Sequence, residues 1–190
     1  MQIQNIIGEI RQTLVYVFDE IDTWFEKPEE VRMYQPQTGG WTIDQILEHI
    51  SLTSHFLLIL IDKGARKALD NRHKANLEAE LAKYIFERDK LDEIGIHQSF
   101  EWIRPEHMEP AGQKTPAEIR YLIREQRQRC LNHLDQVPDG EGILYKTTMT
   151  VNNPGKIDVY EYIYFLAKHA ERHITQMQRN EREYLTTHIH

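Results

Sequence analysis

The chain has 190 residues, 40% of them hydrophobic, with 23 Lys and Arg against 30 Asp and Glu, ten His and a single Cys. That length ordinarily makes one domain with a substantial core. A lone Cys excludes an intramolecular disulfide framework and Cys-rich zinc modules, so any metal chemistry must use nitrogen and oxygen ligands. The formal charge of -7 argues against nucleic acid or an anionic membrane as partner, because both are bound by clustered Lys and Arg. No apolar run reaches the ~18 residues of a membrane span, and the opening MQIQNIIGEIRQ lacks the order of a secretory signal. The expectation is a soluble, cytoplasmic, globular protein.

Residues 2–25 place Ile3, Ile6, Ile7, Ile10, Leu14, Val17, Phe18, Ile21, Trp24 and Phe25 at spacings of three and four, the pattern of an amphipathic helix. Lys27 and Pro28 end it, and residues 27–40 read as a loop. A second helix opens at Thr42 with Gln45 as its capping-box partner. Ile43, Ile46, Leu47, Ile50, Leu57 and Ile61 form its stripe, and it is expected to fray near Gly64 unless the Ala/Lys/Arg-rich residues that follow continue it. Within residues 65–114, Asn76 caps an accessory helix in which Leu77, Leu81, Tyr84, Ile85 and Leu91 share a face up to Gly95. The part from His97 to Gln113, with Trp102, Pro105 and Pro110, reads as irregular.

Thr115, Pro116 and Glu118 make the clearest helix start in the chain. The third helix carries Ile119, Leu122, Ile123, Cys130, Leu134 and Val137 on one side and stops at Pro138-Asp139-Gly140. Residues 145–151 are β-prone, and Asn152-Asn153-Pro154-Gly155 is a turn. Asp158 and Glu161 cap a last helix reaching about Tyr184. Four long amphipathic helices with little strand signal predict an all-α four-helix bundle, with a long crossover carrying an accessory helix between helices two and three.

His169 and His173 stand at i and i+4 on the last helix, where two imidazoles can chelate one ion. At about 100° per residue they share a side with Tyr162, Phe165, Leu166 and Met177, while Lys168 and Glu171 point away. On the second helix His49 falls between Phe56 and Leu60, near Thr53. His55 lies on the opposite side with Asp44, Glu48 and Asp62. Three inward nitrogens from two helices would form a site with an open position for water or substrate. The alternative is a set of core histidines satisfied by hydroxyls or backbone. A zincin protease is excluded, because Ala170 occupies the position after the first His where Glu is needed. A di-iron carboxylate bundle is excluded as well, because no Glu precedes a His by three residues.

At these residues the sequence resembles the DinB superfamily, close to its YfiT-like branch. The resemblance is carried by Gly40-Trp41-Thr42-Ile43-Asp44-Gln45-Ile46-Leu47-Glu48-His49, by Asn153-Pro154-Gly155-Lys156-Ile157, and by the helix from Phe165 to Gln176. It implies an up-down-down-up bundle and a homodimer, with one divalent metal, Zn or Ni, held by His49, His169 and His173. Activities in such a family include transfer of low-molecular-weight thiols such as bacillithiol to electrophiles, and metal-dependent hydrolysis.

The leading expectation is therefore a metal-dependent thiol S-transferase or hydrolase acting on a small-molecule substrate. Its rival is a non-catalytic metal-binding or stress-associated interaction protein. Arg127, beside Ile123, Cys130 and Leu134, is a candidate for binding a substrate carboxylate, or else it snorkels to the bundle edge. Tyr162 and Gln176 are candidate hydrogen-bonding supports for the ligands. Cys130 reads as a small buried hydrophobe. Tyr160 and Tyr164, off the histidine face, suggest a dimer interface or ordinary surface aromatics.

Overall fold

The computed structural model describes residues 3–37, 39–97, 99, 108–149 and 154–188. Helix α1 (Ile3–Trp24) buries the whole isoleucine-rich stripe. A short helix, α2 (Glu29–Arg32), follows Pro28 in the stretch expected to be loop, since proline is compatible with the entry to a helix and not with its interior.

Helix α3 (Ile43–Asn71) begins at the expected capping box, with the Gln45 N–H donating to Thr42 Oγ1 at 3.2 Å and the Thr42 N–H donating to Gln45 Oε1 at 2.9 Å. It does not fray at Gly64. A Cβ at that position would lie 3.2 Å from Val159 Cγ2 of the last helix, so the glycine makes room for the Val159 side chain. Ala65 and Ala68 are then buried and repay the local cost of the glycine.

The single accessory helix expected over residues 76–95 is two helices, α4 (Leu77–Leu81) and α5 (Arg88–Gly95). Asn76 does cap the first, its Oδ1 accepting from the Ala79 N–H at 3.1 Å. A continuous helix would turn Ile85 inward, yet Ile85 is 70% exposed. Phe86 is buried instead, edge-on to Tyr164 at 5.4 Å between ring centroids. Packing of that larger ring outweighs helical periodicity over residues 82–87.

Helix α6 (Pro116–Gln136) starts at a full Thr115–Glu118 capping box. A 3-10 turn (Glu141–Leu144) leads into strands β1 (Thr147–Met149) and β2 (Gly155–Ile157), an antiparallel hairpin with Thr148 opposite Lys156. Tyr145 and Lys146 of the β-prone run precede β1 without regular structure, while residues 150–151, the Asn152-Asn153 part of the turn, Trp102 and Pro105 lie outside the described residues. Helix α7 (Val159–His188) runs a turn beyond the expected Tyr184. Asp158 Oδ1 accepts from the N–H groups of Tyr160 and Glu161, and Glu161 Oε2 accepts from the Asp158 N–H.

Contacts between the long helices fix their relative senses. α1 opposes α6, pairing Arg11 with Asp135, Asp19 with Arg127, and Asp22 with Arg120 and Arg124. α1 and α7 run the same way, with Gln178 beside Glu20 and Glu181 beside Lys27. α3 accompanies α6, through Gln126 to the Ser51 carbonyl and Arg129 and His133 to Asp62. α3 opposes α7, since His49 meets His169 and His173 while Gly64 meets Val159.

The first half of α7 is buried on every side, 159–167 without exception, because α1, α3, α5 and the 3-10 turn all pack on it. Tyr160 and Tyr164 are consequently interior, correcting the surface expectation. Tyr160 bonds the Val137 carbonyl and accepts from the Gly142 N–H, and the Tyr164 hydroxyl donates to Asp92 Oδ1 at 2.7 Å. No helix among the described residues is long and apolar enough to cross a membrane.

The Thr115 cap is exposed and makes no packing contribution elsewhere, so it isolates one helix terminus. Thr115→Ala should lower unfolding free energy by about 1 kcal/mol and the melting temperature by roughly 2–4 °C. Denaturant unfolding checks the first figure, and an unchanged midpoint would show that the cap is not limiting.

Candidate metal centre

The antiparallel crossing of α3 and α7 brings His49 against two successive turns of α7. His49, His169 and His173 are 3%, 3% and 7% exposed. One ligand atom from each lies within 4.8 Å of the others, making a group that can hold a metal ion. His55, as its helical phase indicates, is on the exposed side.

Hydrogen bonds fix which nitrogens face inward. His49 Nδ1 is 2.7 Å from the Met108 carbonyl, which can only accept, so Nδ1 carries the proton and Nε2 keeps its lone pair. His173 Nδ1 lies 3.0 Å from Gln176 Oε1 and is assigned the same tautomer. His169 Nε2 and His173 Nε2 are 3.2 Å apart. That separation is close to the ~3.3 Å expected between two nitrogens bound tetrahedrally to one ion at 2.0–2.1 Å.

Charge reinforces the fit. Burial, joined by His173 and His49, holds the pKa of His169 well below the usual histidine range. Burial and then His49 bring that of His173 down to about 3. Both rings are therefore neutral at pH 7, the form a metal requires.

The walls come from three places. The Trp41 ring lies 4.7 Å from that of His49, and Asn180 Nδ2 donates to the Trp41 carbonyl at 2.8 Å. Residues 108–112 of the crossover supply the Met108 carbonyl, and Met108 Sδ sits 4.0 Å from Thr53 Oγ1. Glu48, expected to face outward, is buried and its Oε2 accepts from the Gly112 N–H at 2.8 Å. A helical wheel knows only the faces of its own helix, and here the crossover covers the face that would otherwise be wet. His97, read as a connector residue, has its pKa lowered by burial first and then by the nearby Arg179 and Arg172.

Of the candidate helpers, Gln176 touches His173. The Tyr162 hydroxyl is instead 3.5 Å from the Thr148 carbonyl of the hairpin. Arg127 Nη1 donates to Asp19 Oδ1 at 2.7 Å in a groove between α1 and α6 lined also by Phe18 and Ile123, so the structure places it with α1 and not with the histidines. His133 bonds Asp62. Cys130 is fully buried, and burial pushes its thiol up to about 12.

A family model described as the DinB superfamily matches residues 8–177. The chain belongs to the DinB superfamily. No curated protein and no solved structure matches it. The matched span of this DinB chain contains all three clustered histidines and Gln176.

The depressed histidine pKa values have a measurable consequence. Below pH 6.5 the unfolded chain takes up protons at these two positions while the folded chain does not, so stability must fall as pH falls from about 6.5 toward 3. In metal-free protein, His173 should remove of order 2 kcal/mol between pH 7 and pH 5, and His169 should add to the loss in the same direction. Urea unfolding at the two pH values tests this, and a His169→Ala/His173→Ala variant should show a flatter dependence. A second expectation concerns the crossover. Glu48→Ala should speed hydrogen exchange at the Gly112 amide and protease cleavage within 108–114, with far-UV circular dichroism unchanged; unaltered exchange would show that the carboxylate does not hold the segment.

Proposed function

We propose that this DinB chain is a metal-dependent enzyme in which His49, His169 and His173 hold one divalent ion, Zn or Ni. The observation that carries the reading is the convergence of three buried histidine nitrogens within 4.8 Å, reached from opposite parts of the chain. Burying three imidazoles without a shared ligand is costly, and the neutral state of His169 and His173 suits donation to a cation. A bound divalent ion would supply an open position that lowers the pKa of a thiol or water and yields a nucleophile near neutral pH.

The residues of the chain then have distinct tasks. The Met108 carbonyl and Gln176 fix the tautomers of His49 and His173, while Trp41 keeps bulk water from the His49 ring. Among the described residues the clustered group contains no carboxylate to serve as general base for water. That favours a low-molecular-weight thiol, already acidic enough to ionise on an ion, as the activated partner, and thiol S-transfer to an electrophile over hydrolysis. The buried, weakly acidic Cys130 does not compete as nucleophile, so the reacting sulfur comes from a cosubstrate. We further propose a cytoplasmic homodimer.

A non-catalytic metal-binding protein would share the same histidine geometry, and turnover separates the two. Protein purified without a histidine tag should contain close to one metal per chain, and a His169→Ala/His173→Ala variant should contain almost none. Equal content in the two would overturn the site. Conjugation of a generic electrophile by a small thiol should disappear on chelation and return on adding back Zn or Ni; metal bound without turnover for any thiol or hydrolysable ester would favour the binding protein.

A further inference from the structure

The crossover meets α3 between Glu48 and Thr53. The Gly112 N–H donates to Glu48 Oε2 at 2.8 Å, the Met108 carbonyl lies 2.7 Å from His49 Nδ1, and Met108 Sδ is 4.0 Å from Thr53 Oγ1. The Glu48 bond is the costly one. Glu48 is 4% exposed, and a carboxylate is expensive to bury unless its charge is answered. Its hydrogen-bond partner among the described residues is a backbone amide and not a cation.

Chain length gives that bond a consequence at the histidines. Three residues separate Gly112 from Met108, and Pro110 among them has its φ fixed by its ring, so anchoring Gly112 restricts where Met108 can lie. Gly112 stands at φ +66°, a left-handed conformation that a residue with a Cβ enters only at a cost. Glu48 and His49 are consecutive on α3, and they grip the two ends of this stretch, Gly112 and Met108. The second grip decides the tautomer. Without an acceptor beside Nδ1, the His49 proton can move to Nε2, the nitrogen that must keep its lone pair for a cation.

We propose that Glu48 is a positioning residue of the three-histidine site: by anchoring Gly112 it keeps the Met108 carbonyl against His49 Nδ1, and so holds the proton off Nε2. This rests on the reading of the histidines as a metal site. Linkage makes the effect reciprocal. A cation on Nε2 makes the Nδ1–H a stronger donor, so the contact that favours metal binding is itself tightened by it.

The test uses the full-length protein and Zn. In competition against a chromophoric chelator, Glu48→Ala should weaken Zn binding by about tenfold, the lower end of what loss of an outer hydrogen-bonding partner costs a metal site. Glu48→Gln keeps an acceptor oxygen and removes the charge, and should bind Zn as the wild type does; a loss equal to that of Glu48→Ala would show that the carboxylate acts by charge and would overturn the anchoring role. Gly112→Ala strains the other end of the same bond and should weaken Zn binding too, which keeps the test open if Glu48→Ala does not fold. The Glu48→Ala/Gly112→Ala pair should lose no more than the larger single effect. In metal-free protein the imidazole nitrogen chemical shifts of His49 should report the Nδ1–H form in the wild type and in Glu48→Gln, and a mixture in Glu48→Ala. Zn should slow hydrogen exchange of the wild-type Gly112 amide by about tenfold as well. Unchanged Zn affinity in a folded Glu48→Ala, or a His49 tautomer that does not move, would overturn the role of Glu48 and leave the histidine site standing. A wild-type chain that takes up no Zn would instead overturn the reading of the histidines.

Discussion

Three imidazoles packed side by side in an apolar bundle are tolerable only if they are uncharged and their ring nitrogens have partners. Much of the architecture answers that demand. The packing of α3 on α7, with room for Val159 at Gly64, brings His49 to His169 and His173. The crossover returns over α3 so that a backbone carbonyl can take one proton, and Gln176 takes another. What remains is a cluster of ring nitrogens in which His169 Nε2 and His173 Nε2 lie 3.2 Å apart. That arrangement is one that can hold a metal ion.

α7 bears most of the burden. It supplies two of the three clustered histidines, packs against α1, α3 and α5, and its start is sealed by a fully buried aspartate. Burial, with Glu161 beside it, raises the pKa of Asp158 to about 8, and Lys146 Nζ at 3.8 Å is its nearest cation. A carboxyl so placed costs stability as pH rises through neutrality, because the unfolded chain releases that proton much earlier. Its two hydrogen bonds to the first turn of α7 offset that cost.

The sequence disclosed whatever a helix expresses through its own periodicity. The stripes of α1, α3 and α6, the caps at Thr42, Asn76, Thr115 and Asp158, and the inward phase of His49, His169 and His173 were all legible. Features set by another element were not. The wheel put Glu48 in solvent because it held no record of the crossover above it, and it gave Tyr160 and Tyr164 to the surface because α7 has no solvent side over its first half. Met108 could not have been found at all, since its contribution to the site is a carbonyl that any residue possesses. Arg127 was correctly phased toward a neighbour, but that neighbour is α1, where Asp19 meets it.

Cys130 has a use that does not depend on catalysis. It is the only thiol in the chain, it lies at the centre of the bundle, and its high pKa keeps it protonated at neutral pH. A thiol-specific reagent can reach it only when α6 separates from its neighbours. Its labelling rate is thus an internal clock for opening of the bundle, readable in the presence or absence of any ligand and without adding a probe to the molecule.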